Sequence, residues 1–155
     1  MKKLKTGDKA PYFTAIDHSG LNHKLSDYLG KKLILFFYPK ADTPGCTLQA
    51  CNLRDNYSIL KDKGFSIIGV SADSISKQKS FVDKFNFQFP LLADESKELI
   101  EHYGVWGAKR FMGKDYEGIF RTTFIIGETG VIERIIEKVK TKDHTAQILE
   151  DIMNN

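Results

Sequence analysis

The sequence contains little cysteine, little proline and no long hydrophobic run. Only 2 of its 155 residues are cysteine and only 4 are proline. A domain of this length buries enough apolar surface to fold without disulfide staples, so we expect no structural disulfide framework. No segment approaches the roughly 18 apolar residues of a membrane-spanning helix, and the N-terminus lacks the apolar stretch of a signal peptide. We therefore expect one domain over residues 1–155, in the cytoplasm and without a membrane partner.

An excess of charge of one sign is also absent. The chain has 23 Lys and Arg against 20 Asp and Glu, which gives a net charge of +3. Proteins that bind nucleic acid usually concentrate basic residues in one patch, so we expect no nucleic-acid partner. The sequence also lacks a glycine-rich phosphate loop, a hydrolase triad signature and an evident pair of catalytic carboxylates.

Hydrophobic periodicity predicts strands that alternate with helices. Extended segments are expected at Tyr12–Asp17, Lys32–Tyr38, Phe65–Ser71, Phe89–Leu92, Thr122–Ile126 and Val131–Val139. Helices are expected at Cys46–Lys63, Ser76–Phe85, Ser96–Tyr103 and Thr145–Met153. A hairpin turning at residues 128–130 would join the last two strands. The predicted fold is α/β, with a mixed central sheet and helices on both faces.

Cys46 lies where a buried strand gives way to a helix. Thr43 is an acceptable N-cap for that helix, and Pro44 suits its first position. A thiol in the first helical turn faces unpaired backbone N–H groups and the positive end of the helix, which favour thiolate over thiol. This position predicts that Cys46 is a redox nucleophile.

Cys46 also fits a purely structural role. It begins an apolar stripe at helical spacing, whose members are Cys46, Ala50, Leu53, Tyr57 and Leu60, whereas Cys51 lies off the stripe. Free cysteine often serves as a small buried apolar residue, so its position in the helix alone does not decide between the two roles.

Three further residues favour the chemical role of Cys46. Gly45 leaves space beside the sulfur, and Thr43 supplies a hydroxyl that can donate to or accept from a bound oxygen. Arg121 opens the predicted strand Thr122–Ile126, and its permanently charged guanidinium would hold a nearby sulfur as thiolate. That Arg121 lies near Cys46 is a hypothesis at this point, and a surface salt bridge is the alternative.

Two motifs carry a resemblance to a known family. They are Pro39-x-x-x-Thr43-x-x-Cys46 and an arginine, Arg121, before a Thr-Thr-Phe-aliphatic strand. Together they resemble the peroxiredoxins, and the longer string from residue 38 through Cys51 to 55 is similar to the bacterioferritin comigratory protein, or peroxiredoxin Q, branch. Matching segments at residues 7–11, 69–71 and 103–107 extend the resemblance over nearly the whole chain.

The resemblance implies a thioredoxin-like fold and reduction of hydrogen peroxide and organic hydroperoxides in antioxidant defence, with no metal or organic cofactor. Cys46 would be the peroxidatic cysteine and Cys51 the resolving one. Thr43 and Arg121 would complete the peroxide site, with Pro39 shielding the sulfur. The resemblance further implies an intramolecular Cys46–Cys51 disulfide that thioredoxin, or glutaredoxin, reduces. With both cysteines on one chain, we expect a monomer.

Gln49 departs from the wider family, in which many members carry glutamate three residues after the reactive cysteine. The branch that this chain resembles commonly has glutamine there. Glutamine can accept a hydrogen bond from Arg121 but cannot form an ion pair with it. The sequence therefore leaves open how Arg121 is oriented.

The spacing of the two cysteines sets a geometric condition on the implied disulfide. Five residues of helix separate Cα atoms by about 8.7 Å, from about 7.5 Å of rise and about 140° of rotation. Disulfides rarely tolerate Cα separations beyond about 7 Å. We therefore predict that the first turns of the helix unwind when Cys46 bonds to Cys51.

The two cysteines could also serve other functions. A thiol–disulfide oxidoreductase of the same fold normally uses Cys-x-x-Cys, which this chain lacks. A metal-binding module would need histidines at ligand-like spacing to the cysteines, and none of the four has it: His18, His23, His102 and His144. A peroxide-driven chaperone or relay role would coexist with peroxidase activity.

Several other residues have less specific interpretations. Trp106 and Phe111 either line an apolar side of the substrate pocket or pack on the core. The aspartates at three predicted turns are expected to be turn or cap residues: Asp17, Asp42 and Asp94.

Overall fold

The computed structural model describes residues 3–153. Its strands are β1 (Thr14–Ile16), β2 (Asn22–Lys24), β3 (Lys32–Phe37), β4 (Phe65–Ser71), β5 (Leu91–Ala93), β6 (Trp106–Phe111), β7 (Lys114–Ile119), β8 (Thr122–Ile126) and β9 (Ile132–Ile136). Its α-helices are α1 (Pro44–Asp55), α2 (Tyr57–Asp62), α3 (Ile75–Phe85), α4 (Glu98–His102) and α5 (His144–Met153). None of the helices in this part of the chain is long and apolar enough to cross a membrane.

A five-stranded sheet in the order β5-β4-β3-β8-β9 forms the centre of the fold. β3 pairs parallel to β4, and β4 parallel to β5, whereas β8 runs antiparallel to both β3 and β9. The turn at residues 128–130 joins β8 to β9 as a hairpin. The predictions of a mixed sheet and of this hairpin are confirmed.

β3 is buried on both faces because the sheet separates two hydrophobic clusters. Leu33, Leu35 and Phe37 point into one cluster, which α4 and the N-terminal segment cover. The alternate residues of the strand, Ile34, Phe36 and Tyr38, point into the other, which α1, α2, α3 and α5 cover. A strand covered on both faces reads as a continuous apolar run, as this one does. Helices therefore lie on both faces, as predicted.

The prediction of a single helix over Cys46–Lys63 is wrong, because the helix is interrupted at Asn56. There the backbone leaves the helical region (φ −112°, ψ 16°), and α1 and α2 are separate helices. The Asn56 side-chain amide donates to the carbonyl oxygen of Asn52 at 2.8 Å. Asparagine disfavours helix interiors because its side chain competes for backbone hydrogen bonds in this way.

The remaining elements differ from prediction mainly at their ends. β4 and β8 have the predicted bounds, and β1, β5 and β9 are shorter than or shifted from the predicted segments. The helix predicted from Ser76 begins one residue earlier because Ser74 caps it, accepting from the Lys77 amide at 3.2 Å. The β6–β7 hairpin was not predicted. Its turn places Met112 and Gly113 at positive φ, and most of its side chains are exposed, so it lacks alternating burial.

His144 is a fully buried polar residue at the start of α5. The Gln147 amide is oriented by donating to the Lys138 carbonyl, so its Oε1 accepts from Nδ1 of His144 at 3.0 Å. Nε2 of His144 is then unprotonated and accepts from the Thr123 hydroxyl at 2.8 Å. Burial lowers the pKa of His144 from 6.5 to about 4, a shift that the nearby Arg121 charge increases and the Gln147 hydrogen bond opposes.

We expect this histidine to make folding stability depend on pH. The folded state holds it neutral, so its contribution is fully present above pH 6.5 and is lost as pH falls from 6.5 to about 4, because over that interval the unfolded chain takes up a proton that the folded protein does not. The loss amounts to about 3 kcal/mol. Urea unfolding between pH 7.5 and pH 4 measures it. His144→Gln should weaken the dependence of the free energy of unfolding on pH. Replacing the exposed His102 with Gln should leave that dependence unchanged.

Candidate active site

Cys46 lies in the first turn of α1, pressed against the central sheet. Its side chain is 1% exposed and packs in the same cluster as Tyr38, Ala50 and Leu53. The predicted buried stripe is therefore confirmed on α1 at Cys46, Ala50 and Leu53. The sulfur is almost completely enclosed by protein, so only a small reactant atom can reach it.

Thr43 occupies the N-cap position of α1, with an extended backbone (φ −100°, ψ 157°), and Pro44 follows it as predicted. The Thr43 side chain does not cap the helix. Its hydroxyl donates instead to the Lys40 carbonyl at 2.7 Å. The hydrogen of the hydroxyl is thus committed, and its oxygen lone pairs are left to accept from a bound group.

Arg121 reaches α1 with both arms of its guanidinium. One terminal nitrogen donates to the sulfur of Cys46 at 3.4 Å, and the other donates to Oε1 of Gln49 at 2.8 Å. The hypothesis that Arg121 lies near Cys46 is confirmed, and the surface salt bridge is not the role that these contacts give it. The contact places a permanent positive charge directly against the sulfur.

Gln49 sets the orientation of the Arg121 guanidinium, which the sequence left open. It is fully buried one turn after Cys46, and its amide oxygen accepts from Arg121. Because the amide is neutral, it directs the guanidinium without cancelling its charge. A glutamate at this position would share that charge with the sulfur.

Gly45 is required by Arg121 as well as by the sulfur. A Cβ atom at this position would lie 3.1 Å from the Arg121 nitrogen that contacts Cys46. The sequence prediction assigned Gly45 to the approach of a substrate. The structure adds that the missing side chain makes room for the guanidinium.

The sheet register explains why Arg121 meets α1. Phe37, the last residue of β3, pairs with Thr122, the first of β8. Because these strands are antiparallel, the residue before β8 lies beside the connection from β3 to α1. The short segment between β7 and β8, which precedes Arg121, is also fixed in position, because the Phe120 amide donates to the Val105 carbonyl at 2.7 Å.

Lys109, on β6, is a site neighbour that the sequence did not reveal. Its ammonium donates to the Ile119 carbonyl at 2.8 Å, two residues before Arg121. Burial lowers the pKa of Lys109, and the charge of Arg121 lowers it further, whereas Cys46 acts in the opposite sense. Lys109 is thus close enough to interact electrostatically with Arg121 and Cys46. Without a predicted β6–β7 hairpin, no sequence signal could place it here.

Cys51 sits on α1 away from the sulfur of Cys46, as its place off the apolar stripe predicted. It is half-buried at the margin of the same hydrophobic cluster. Burial raises the pKa of Cys51, an effect that Arg54 opposes and Asp55 reinforces. The Cys51 sulfur is therefore held as the protonated thiol at neutral pH, and both cysteines are free in this structure.

Pro39, Trp106 and Phe111, the other candidate residues, lie in three different parts of the fold. Pro39 is half-buried in the β3–α1 connection, and its shielding of the sulfur stays a prediction. Trp106 packs against the core and lines a cavity of about 620 Å³ together with Phe120 and Arg121, but Cys46 does not line this cavity. The core-packing interpretation of Phe111 is wrong, because it is 67% exposed on the β6–β7 hairpin, and its place in a substrate pocket stays a prediction.

His23 and the turn aspartates Asp17 and Asp94 have structural partners. His23 bonds Asp17 at 2.6 Å and Tyr28 at 2.7 Å, and Asp17 also accepts from the amides of its own turn. Asp94 accepts from the Ile100 amide at 2.8 Å, so it caps α4. These contacts confirm that Asp17 and Asp94 are turn or cap residues. Asp42 is also in a turn, at φ 59°.

The sequence matches proteins of known family. The profile of the AhpC/TSA family matches residues 6–135. The chain is 48% identical over 149 residues to a putative peroxiredoxin bcp of Buchnera aphidicola, covering 96% of this chain and 94% of the relative. It is 45% identical to the peroxiredoxin Bcp of Escherichia coli, covering 96% of both chains.

Solved structures share the fold. A cysteine-to-serine mutant of PrxQ from Xylella fastidiosa superposes with a TM-score of 0.92 at 28% identity, over 99% of this chain and 98% of that one. The peroxidoxin BcpB of Mycobacterium tuberculosis gives a TM-score of 0.85 at 32% identity, over 97% of both chains. These neighbours confirm the predicted thioredoxin-like fold.

We expect Gly45→Ala to slow the reaction of Cys46 with a thiol reagent. The added methyl group would displace the Arg121 nitrogen from the sulfur, and small displacements of a charged donor cost about tenfold or more in rate. The alkylation rate of Cys46 at pH 7, measured by mass spectrometry, tests this expectation. An unchanged rate in a variant that keeps the wild-type melting temperature would show that the Arg121 contact does not control the thiol.

Proposed function

Because this chain belongs to the AhpC/TSA family and is a thiol-dependent peroxidase, a peroxiredoxin of the Bcp type, we propose that Cys46 is its peroxidatic cysteine and Cys51 its resolving cysteine. Thr43, Arg121 and Pro39 complete the proposed site. The enzyme takes a hydroperoxide as oxidant and a thiol as reductant.

The contact between Arg121 and the sulfur of Cys46 is the observation that carries this assignment. A thiolate attacks one peroxide oxygen along the O–O axis, so the S–O bond forms as the O–O bond breaks. Negative charge moves from the sulfur to the leaving oxygen, which takes up a proton and departs as water or alcohol. The guanidinium next to the sulfur stabilises charge at both ends of this path.

Thr43 orients the peroxide in this proposal. Its hydroxyl hydrogen is bonded to the Lys40 carbonyl, so the oxygen accepts the O–H hydrogen of the incoming hydroperoxide. Arg121 and the first backbone N–H groups of α1 donate to the peroxide oxygens from the other side. Pro39 limits the access of water. Together these groups align the O–O bond with the sulfur, which is the main source of rate in a reaction that needs no cofactor.

Cys51 completes the cycle. Its thiol displaces the hydroxyl of the Cys46 sulfenic acid, which forms the disulfide and releases water. The helix spacing of about 8.7 Å between the two Cα atoms exceeds what a disulfide allows, so the first turns of α1 unwind for this step.

Thioredoxin is the proposed reductant of the disulfide, with glutaredoxin as the alternative. Both cysteines lie on one chain, so we propose that a monomer completes the cycle in the cytoplasm, where dithiol donors are available. A solved Xanthomonas campestris bacterioferritin comigratory protein, 30% identical with a TM-score of 0.85, is described in terms of alkyl peroxide reduction. This likeness supports organic hydroperoxides as substrates beside hydrogen peroxide.

The proposed role of Cys46 predicts fast peroxide reduction that depends on this one thiol. The fully reduced protein should consume one equivalent of hydrogen peroxide orders of magnitude faster than free cysteine at the same pH, and Cys46→Ser should abolish this. Arg121→Met should slow the reaction about 100-fold, because one charged donor to the transition state is lost. Stopped-flow measurement of peroxide loss provides these rates.

Arg110→Met is the matched control, because this arginine is exposed on the β6–β7 hairpin and pairs only loosely, at 3.7 Å, with Asp115. It should react like the wild type. If the wild-type protein reacts no faster than free cysteine, the peroxidatic assignment is wrong and Cys46 is an ordinary helix thiol.

The proposed Cys46–Cys51 disulfide predicts that the start of α1 unwinds on oxidation. Oxidation by one equivalent of hydrogen peroxide should raise amide exchange over residues 46–53, because disulfide formation breaks the hydrogen bonds of the first turns of α1. Exchange read by mass spectrometry in both redox forms tests this, with peroxide-treated Cys51→Ser as the control that cannot form the bond. Equally slow exchange in oxidised and reduced wild-type protein would contradict the prediction.

A further inference from the structure

The contacts that hold α1 differ on the two sides of Cys51. Up to Cys51, the side-chain hydrogen bonds between α1 and the rest of the described chain come from Arg121, which contacts Cys46 and Gln49. After Cys51, the helix is bonded to two other parts of the fold through Asn52 and Arg54. The boundary between the contacts of Arg121 and the contacts of Asn52 and Arg54 therefore falls between Cys51 and Asn52.

Asn52 joins α1 to the start of α5. Its Oδ1 accepts from the backbone amide of Thr145 at 2.8 Å, and its Nδ2 donates to the Lys142 carbonyl at 2.9 Å. The Thr145 hydroxyl also lies 3.4 Å from the Asn52 carbonyl. The amide uses its acceptor and a donor on one short segment of chain, so the position of Asn52 is fixed from outside α1.

Arg54 reinforces this attachment. Its guanidinium donates to the carbonyl of Phe85, the last residue of α3, at 2.8 Å. Gln88 donates in turn to the Arg54 carbonyl at 3.1 Å. Neither contact depends on the hydrogen bonds within α1. We call the contacts of Asn52 and Arg54 with these neighbours the Asn52 anchor.

In the proposed disulfide cycle, oxidation removes the contacts of Arg121 with α1, whereas nothing in the cycle requires the contacts of Asn52 and Arg54 to break. When Cys46 bonds to Cys51, its sulfur leaves Arg121, and the turn that presents Gln49 to Arg121 unwinds. The amides of residues 52–55 also lose their acceptors, the carbonyls of residues 48–51. The anchor contacts involve none of these groups, so they can hold residues 52–54 in place without an intact helix before them.

We propose that Asn52 is a positioning residue that holds the Cys51 end of α1 against α5 in both redox states, so that only the Cys46 end of the helix moves. This inference rests on the proposed disulfide cycle. In the resolving step the Cys51 sulfur bonds to the Cys46 sulfur, and the sulfenic hydroxyl leaves with the Cys51 proton as water. Cys51 stays where it is in the reduced protein, and Cys46 comes to it.

A comparison of two variants three residues apart tests the proposal. Asn52→Ala removes two anchor hydrogen bonds that persist in both forms, so it should lower the folding equilibrium constant about tenfold in the dithiol and the disulfide protein alike. The reduction potential of the disulfide should then be unchanged. Gln49→Met, of similar size, removes a contact present only in the dithiol form. It should destabilise that form alone and lower the potential, by about 30 mV for a tenfold effect.

Urea unfolding of both redox forms and equilibration in dithiol buffers supply the two readouts. Asn52→Asp keeps an acceptor for the Thr145 amide, so it should recover part of the stability in both forms. A loss confined to the dithiol form of Asn52→Ala, with a lowered potential, would show that Asn52 releases on oxidation and would overturn the proposal. No loss of stability in either form of Asn52→Ala would overturn it as well.

The disulfide is prepared with diamide, which oxidises dithiols without peroxide, so the test does not depend on peroxidase activity. Equal losses in both forms of Asn52→Ala, together with no reaction with peroxide, would disprove the peroxidase assignment of Cys46 and leave the anchor standing. Failure of diamide to join Cys46 and Cys51 would overturn the anchor, since the Cys46 end could then not reach a fixed Cys51.

Discussion

The two hydrogen bonds from Arg121 to α1 are the interaction on which the site depends. They join the entrance of β8 to the first turns of the helix, and they set a cation against a sulfur that is otherwise enclosed by apolar side chains. Other features of the fold serve this contact. The pairing of Phe37 with Thr122 brings the two chain segments together, Gly45 leaves room for the guanidinium, and Gln49 orients it. A buried charge needs such partners, because an unpaired one would be costly.

Much of this arrangement could be predicted because it follows from local patterns. β3 is a continuous apolar run, the end of that run marks the start of α1, and Cys46 follows a recognisable N-cap and proline. The proximity of Arg121 could be stated only as a hypothesis from the residues themselves, because strand register is not written in spacing. The family resemblance supplied the missing pairing, and the structure confirmed it.

Other features depend on tertiary contacts that leave no local signal. The β6–β7 hairpin shows little alternation because most of its side chains are exposed, so Lys109 could not be placed near the sulfur. The break at Asn56 depends on one side-chain hydrogen bond within an otherwise helical pattern. No local pattern in the sequence tells whether His144 is exposed or structural, and only the packing of α5 shows that it is buried and neutral.

The break at Asn56 also bears on how fast the enzyme can return to its starting state. In the proposed disulfide cycle, it limits the segment that must reform after reduction to one short helix, because α2, whose Leu60 packs in the core, is a separate helix. Helix–coil relaxation in a segment of this size takes about a microsecond or less. Encounter of the disulfide with thioredoxin, the proposed reductant, is a diffusional event between two proteins and is slower than this at micromolar concentrations. The supply of reductant, rather than the rewinding of the helix, would then set the pace of repeated turnover.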